Sequence, residues 1–321
     1  MRRRSAIAAL AATGLYAARP QRLAAQGTSL PKIRVGAPET DALTPLFYGM
    51  RNGAFQKAGL DVEFVSTNNG TAATAAVLAG TYQLSYPSIV TTMNAHLRDV
   101  PLALIAPGAI YTAKNPFGLL QVAADSPIKS AADLNNKIIG VPALNSSTGL
   151  VVSAWVDKNG GDSRTLKYVE IPFAVTESAL VGHRIDCSMM LEPMLTSSLS
   201  SGKTRTLGDA FAAIASTFMV AAYVGRPDWA TENADTVRKF LKVLSALTTD
   251  TNAHPAETAA LMSDVTKIPL PIMQKMTRVV NATSLEPGLV QPFIDAAAKY
   301  HVITRDFPAK EFFWNDVGPA H

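Results

Sequence analysis

The sequence has little cysteine and, outside its first 25 residues, no long hydrophobic run. Cys187 is the single cysteine among 321 residues, so the chain forms no intramolecular disulfide. Its apolar surroundings are typical of a small core residue rather than a nucleophile. After residue 25 no stretch approaches the ~20 consecutive apolar residues that a membrane-spanning helix needs. These absences exclude a disulfide scaffold and predict no spanning segment in the remainder of the chain.

Motifs for metal binding and for common catalytic sites are also lacking. The spacing of the histidines matches no metal-ligand pattern; they are His96, His183, His254, His301 and His321. Neither a G-x-S-x-G nucleophile motif nor a phosphate-binding P-loop occurs. The sequence therefore predicts no cofactor, no metal and no catalytic residue.

The first 25 residues have the pattern of an export signal. Arg2, Arg3 and Arg4 are followed by an alanine-rich apolar stretch over residues 5–18, and Ala24 and Ala25 provide small residues for cleavage. We expect cleavage near Ala25 and a periplasmic product. Both the general and the twin-arginine export routes stay open. No cysteine follows the signal, so no lipid anchor is expected.

Removal of this segment changes the charge balance. The full chain has 29 basic and 25 acidic residues and a net charge of +4. Five of the basic residues and none of the acidic ones lie in residues 1–25, so the remainder carries a charge of −1. The charge therefore gives no support for nucleic acid as a partner.

One short pattern occurs twice, at residues 76–88 and 178–190. Each copy predicts the end of a short helix, a glycine, a tight turn and a buried strand. Strand and helix patterns alternate around both copies, which favours two α/β lobes with a cleft for a small molecule between them. Predicted strands cover residues 32–37, 61–66, 84–86, 102–106, 118–123, 137–141, 167–170, 186–191 and 218–224. Residues 43–58 predict one helix ended by Gly59, and most of the chain after Pro227 is predicted to be helical.

Three phrases resemble those of a known family. Residues 55–63 (FQKAGLDVE), residues 133–141 (DLNNKIIGV), and residues 179–186 with Glu192-Pro193 are similar, in order and spacing, to phrases of periplasmic solute-binding proteins of ABC importers. The similarity is to the sulfonate-, nitrate- and thiamine-precursor-binding type. Gln83 and Asn136 depart from the family pattern, and both lie at predicted turns.

The resemblance implies an α/β, two-lobed type II periplasmic binding protein fold with two crossover strands and a helical C-terminal tail packed on lobe one. The expected organisation is a signal peptide over 1–25, the first part of lobe one over 31–120, lobe two over 121–217, and a return to lobe one with C-terminal helices over 218–321. It also implies a monomer that binds a small, anionic or aromatic solute and delivers it to a membrane permease with its ATPase.

Ligand residues are predicted from the rule that ligands lie beyond the carboxyl ends of strands in open α/β sheets. Several of these loops open helices, whose N-termini attract anionic groups. Ser and Thr there equally suit simple helix capping. The ligand-binding residues predicted in this way are Thr40, Asp41, Asn69, Gly70, Thr71, Tyr86, Ser88, Ser146, Ser147, Thr148 and Glu192. Tyr111 is added as an aromatic side chain that can stack on an aromatic ligand.

Alternatives remain for Glu192 and for the function. Glu192 either accepts a hydrogen bond from the ligand or stabilises the hinge. An enzyme of the same fold, similar to thiamine-pyrimidine synthases, is one alternative function, although the cysteine-rich motif of those enzymes is absent. A soluble ligand-sensing partner of a receptor is another.

Overall fold

The computed structural model of the protein describes residues 30–142, 144 and 147–314. The predicted export segment and the predicted ligand residue Ser146 lie outside the described residues. From Pro31 onward the described chain forms a single unit of mixed α/β structure.

The strands and helices follow in chain order. The strands are β1 (Lys32–Ala37), β2 (Asp61–Ser66), β3 (Leu84–Ser85), β4 (Ala103–Ala106), β5 (Ala109–Thr112), β6 (Gly118–Ala123), β7 (Ile138–Val141), β8 (Lys167–Glu170), β9 (Cys187–Leu191), β10 (Thr204–Gly208), β11 (Thr217–Met219), β12 (Tyr223–Gly225) and β13 (Val280–Asn281). The α-helices are α1 (Thr44–Arg51), α2 (Ala54–Lys57), α3 (Gly70–Leu78), α4 (Ile89–His96), α5 (Ser147–Lys158), α6 (Phe173–Val181), α7 (Met194–Ser201), α8 (Pro227–Glu232), α9 (Ala234–Ala253), α10 (Ala259–Thr266), α11 (Leu270–Lys275) and α12 (Pro287–Lys299).

Two five-stranded sheets form the framework. The first has the order β2-β1-β3-β12-β4, and the second has the order β10-β6-β9-β7-β8. Within the first sheet β1 is parallel to β2 and β3, whereas β12 is antiparallel to β3 and β4. Within the second, β7 is parallel to β8 and β9, and β6 is antiparallel to β9 and β10. The predicted α/β class is confirmed.

The chain passes twice between the two sheets, and the strands at these passages lie side by side. β5 precedes the passage into the second sheet, and β11 follows the passage back. They pair antiparallel, with Phe218 opposite Tyr111, and β13 pairs with the other edge of β5. A three-stranded sheet, β11-β5-β13, therefore joins the two larger sheets.

Two predicted elements prove to be divided. Residues 218–224 were expected to form one strand, but they contribute to β11 and β12, which belong to different sheets. Both halves are apolar because both are buried, so hydropathy carries no sign of the break. The helix predicted over residues 43–58 is interrupted at Gly53, where φ is +73° and α1 gives way to α2.

The turn at Asn136 explains one departure from the family pattern. Its φ is +65°, a left-handed conformation that glycine adopts freely and that asparagine tolerates better than most residues. Asparagine in place of the usual glycine therefore preserves this turn.

The hydrophobic core is continuous across the connecting strands. Tyr111 and Phe218 pack against Phe211, which precedes β11, and Phe218 packs against Phe293 of α12. The same buried cluster contains side chains from the first sheet and from the second, including Leu104 of β4 and Leu120 of β6. In the tail, α9 packs against α1, while α12 lies against β11, α4 and α5.

Candidate functional site

The loops that follow β1, β2 and β3 come together at one edge of the first sheet. The Thr67 N–H after β2 donates to the carbonyl of Ala37 at the end of β1, at 3.0 Å. A Cβ placed on Gly70 would lie 2.8 Å from the Cα of Pro87, so only glycine allows this approach of the second loop to the third. These three loops are therefore neighbours, as the strand order predicts.

Helices start in two of these loops, and predicted ligand residues cap them. Asn69 Oδ1 accepts a hydrogen bond from the Ala72 N–H at 2.8 Å at the start of α3. Ser88 Oγ accepts one from the Val90 N–H at 3.3 Å at the start of α4. Thr71, in the first turn of α3, is exposed. Both caps hold their loops in place, and Thr71 presents its side chain to solvent.

Tyr86 is buried, and its hydroxyl is engaged by the protein. The hydroxyl oxygen accepts a hydrogen bond from the Ala109 N–H at 2.7 Å and lies 3.5 Å from Asn281 Oδ1. Burial raises the pKa of Tyr86 well above its ordinary value, so the phenol is neutral. Its ring packs edge-on against Tyr223. Tyr86 thus links the third loop to β5 and β13.

Tyr111 lies in the core rather than on a loop surface. Its side chain is fully buried, and its hydroxyl donates to Asp209 Oδ2 at 2.6 Å. Burial, and then Asp209, raise its pKa. The Tyr111 side chain is therefore engaged within the core.

The loop after β1 contains a buried ion pair. Thr40 is half-buried, and Asp41, only 5% exposed, lies 2.7 Å from the guanidinium of Arg278. Asp41 Oδ2 also accepts a hydrogen bond from the Val279 N–H at 2.8 Å, and Thr44 Oγ1 donates to Oδ1 at 3.2 Å. Asp41 is thus committed to contacts within the protein.

On the second sheet, the loop after β7 leads to the start of α5. Ser147 is half-buried in the first turn, and the neighbouring Thr148 is buried. The Leu144 N–H donates to Glu170 Oε1 at 3.0 Å, which connects this loop to the end of β8. The Leu144 side chain is 52% exposed, and Val175 in α6 is 43% exposed. Apolar surface is therefore available beside these loops.

Glu192 lies at the end of β9 and connects the second sheet to the C-terminal tail. Oε2 accepts from the Thr196 N–H at 3.0 Å, and Oε1 accepts from the Thr196 hydroxyl at 2.9 Å and from the Thr277 N–H at 3.2 Å. Burial raises the pKa of Glu192, the charge of Asp41 raises it further, and these hydrogen bonds oppose the shift. Glu192 is thus bonded both to α7 and to the tail.

The tail residues Thr277 and Arg278 were missed by sequence reasoning. Arg278 contacts Asp41 from 237 positions away in the chain, and no motif marks that stretch. Both residues also line a cavity of about 880 Å³. Its lining comes mainly from α9, α10, α11 and the approach to β13, together with Thr44 and Asn115. It contains none of the predicted ligand residues.

The described residues contain no group of three or more His, Cys, Asp or Glu side chains arranged to hold a metal ion. Cys187 is fully buried, and burial raises the pKa of its thiol to about 12. A thiol in that state is protonated and unreactive at neutral pH. No helix within the described part of the chain has the length and apolar character to cross a membrane.

Comparison with known families and curated proteins gives two matches. A family model described as NMT1/THI5 like matches residues 41–258. The formylaminopyrimidine-binding protein of Halalkalibacterium halodurans is 24% identical over 139 residues, which are 43% of this chain and 41% of that protein. The match thus spans less than half the length of this curated relative.

Solved structures show the same fold. The periplasmic aliphatic sulphonate binding protein SsuA from Escherichia coli matches with a TM-score of 0.73 and 16% identity, over 88% of this chain and 92% of that one. The alkanesulfonate-binding protein SsuA from Xanthomonas axonopodis pv. citri, bound to MOPS, matches with a TM-score of 0.70 and 14% identity, over 87% of this chain and 97% of that one. A ligand-binding component of an ABC-type import system from Staphylococcus aureus matches with a TM-score of 0.74 and 14% identity, over 90% of this chain and 100% of that one.

Proposed function

Because this chain belongs to the NMT1/THI5 like family, we propose that it is the exported substrate-binding component of an ABC importer. It binds a small organic solute between the loop ends of its two large sheets. It then delivers the solute to a membrane permease that works with an ATPase. The ligand site is the set of loops that follow β1, β2 and β3 on one sheet and β7 and β9 on the other.

The observation that carries this proposal is the convergence of the first three loops around Gly70 and Pro87. Two helices start there, α3 and α4, and α5 starts at the corresponding end of β7. Helix N-termini offer N–H groups to an anionic or polar ligand. Sheets joined by two short passages are also the arrangement that hinge closure around a ligand requires.

The free energy of binding indicates what the site must contribute besides helix N-termini. Micromolar affinity requires about −8 kcal/mol, whereas one helix N-terminus contributes roughly 0.3–1 kcal/mol when exposed. Apolar burial must therefore supply much of the remainder, at about 25 cal/mol per Å². Leu144 and Val175 are exposed beside the second-sheet loops and can cover an apolar or aromatic part of the ligand. This balance favours an organic solute with both a polar head and an apolar body.

The nature of the polar head is tested directly. The relatives named above bind sulfonates and a formylaminopyrimidine. We therefore propose titration with MOPS, formylaminopyrimidine and benzoate, followed by thermal shift and calorimetry. A binder gains stability as ligand concentration rises, by about 2.7 kcal/mol at a hundredfold excess over Kd. Mass spectrometry should recover the compound unchanged. Conversion of the compound would support the enzyme alternative, and absence of any stabilisation across the panel would contradict the proposal.

Two sets of variants distinguish the proposed site from the large cavity. Thr71→Val and Ser147→Ala alter the first turns of α3 and α5 and should weaken binding of the retained compound. Gln274→Ala alters the cavity lining and should leave its affinity unchanged. The reverse pattern would move the ligand site to the cavity.

We further propose that the protein is a periplasmic monomer whose residues 1–25 are removed on export. N-terminal sequencing of the protein from a periplasmic extract should begin near Gln26. Light scattering coupled to size exclusion should give the mass of one chain. A protein that retains residues 1–25 in that extract, or a stable dimer, would overturn the respective part of this proposal.

A further inference from the structure

Three consecutive tail residues touch both large sheets. Thr277, Arg278 and Val279, here called the strap, lie between α11 and β13. Arg278 and Val279 bind Asp41 in the loop after β1, whereas Thr277 binds Glu192 at the end of β9. The strap thus connects the loop ends of the first and second sheets without being part of either sheet.

The attachment to the first sheet is dense. Besides its contact with Asp41, Arg278 Nη1 donates to the carbonyl of Pro255 at 2.7 Å, and Nη2 donates to the hydroxyls of Thr44 and Thr258 at 3.2 Å each. The Arg278 side chain is only 13% exposed. Charge-assisted hydrogen bonds of this kind, shielded from water, are the strong class. This end of the strap therefore moves with α1 and with the loop after β1.

The attachment to the second sheet is sparse by comparison. The Thr277 N–H donates one bond, of 3.2 Å, to Glu192 Oε1. Glu192 itself is fixed to α7 through Thr196. On the passage between the sheets, Asn115 Nδ2 donates to the carbonyl of Arg278 at 2.9 Å. When the sheets rotate about their connecting passages, the Thr277–Glu192 bond must lengthen, and the neighbouring packing of α11 on α7 must loosen with it.

We propose that the strap is a latch between the sheets and that Glu192 is a positioning residue that acts through Thr277. The bond favours the relative orientation of the sheets seen here, and its loss favours their separation. This inference rests on the proposed function only in taking that separation as the motion that admits a ligand.

The test measures the distance between the sheets in the protein without ligand. Spin labels are attached to the exposed positions Lys57→Cys in α2, which packs against β2 of the first sheet, and Lys167→Cys in β8 of the second sheet. Native Cys187 is fully buried and does not compete for the label. Pulsed electron paramagnetic resonance then compares Glu192→Gln with the exposed control Glu257→Gln.

Glu192→Gln replaces the charged acceptor of the Thr277 N–H with a neutral amide oxygen and should raise the population at longer distances about fivefold, because hydrogen bonds to charged groups are stronger than those to neutral groups. Glu257→Gln should match the parent. Identical distance distributions for all three proteins would overturn the latch. The unfolding midpoint of each variant is measured as well. General destabilisation would lower the midpoint and broaden the distance distribution, whereas loss of the latch should produce a second population at longer distances.

A second measurement needs no substitution at Glu192. In the unmodified protein the Thr277 amide should exchange its hydrogen about tenfold or more slowly than an unstructured amide, as a native hydrogen bond requires. Exchange at the unstructured rate would overturn the latch even if Glu192→Gln fails to fold. Neither measurement uses a ligand, so failure of the latch leaves the proposed function standing, and failure of the titrations leaves the latch standing.

Discussion

The ion pair between Asp41 and Arg278 makes the strongest prediction about stability. Asp41 is 5% exposed and the Arg278 side chain is 13% exposed, so both charges are largely removed from water. Replacing Asp41 with alanine leaves the guanidinium without its counter-ion, and breaking a buried pair in this way costs about 3–5 kcal/mol. Arg278 keeps its bonds to Pro255, Thr44 and Thr258. We therefore expect a loss near the lower end of that range.

The magnitude converts into a measurable shift. A chain of this size loses about 2 °C of melting temperature for each kcal/mol, so Asp41→Ala should lower the midpoint by about 6 °C. Thermal unfolding followed by circular dichroism gives the midpoint, provided that the transition is cooperative. Asp228 forms an ion pair with Arg226 on the surface, where side chains are 54% and 36% exposed, and provides the control. Asp228→Ala should shift the midpoint little, since exposed pairs contribute little. Equal shifts for the two variants would refute the reasoning.

Three further predictions concern the loops and the core. Gly70→Ala should weaken ligand binding, because its Cβ would meet Pro87 at 2.8 Å, whereas Gly288→Ala, with open space around its Cβ, should not; equal affinities in calorimetry would contradict this. The raised pKa of Glu192 means that its protonation favours the folded state. The free energy of unfolding of the parent protein, relative to that of Glu192→Gln, should therefore fall as pH rises from about 4.3 through the raised pKa. Urea titrations at several pH values measure this difference, and a difference that does not change with pH would contradict the prediction. The buried Cys187 should react with a thiol reagent only after unfolding, and rapid labelling of the native protein would show that it is accessible.

Local patterns predicted the elements that depend on local sequence. The observed bounds of β1, β2 and β6 were predicted from their short β-type patterns, and the glycine-marked turns predicted the helix-to-strand junctions. The break between β11 and β12 was missed because burial makes both segments apolar. The tail strand β13 was missed because its two residues form a strand only by pairing with β5, about 170 positions earlier by chain numbering.

Prediction of the site was limited by the same physics. The rule for strand ends selects loops, and the loops around Gly70 and Pro87 do meet. It does not reveal which polar groups the protein uses internally. Asp41 and Tyr86 are engaged by Arg278 and by the Ala109 N–H, and these partners come from distant parts of the chain. Such pairings follow from tertiary packing, which a single sequence does not display.

The continuous aromatic cluster around Phe218 has a consequence for how the molecule comes apart. Because Tyr111, Phe211 and Phe293 pack on it from separate parts of the chain, the cluster includes side chains of both large sheets, besides the separate cluster that the first sheet forms with α1 and α9. A fragment cut at the connecting strands would expose this surface to water and would tend to associate or be degraded. Calorimetry of the intact chain should therefore show a single heat-capacity peak, because the regions around the two large sheets unfold together.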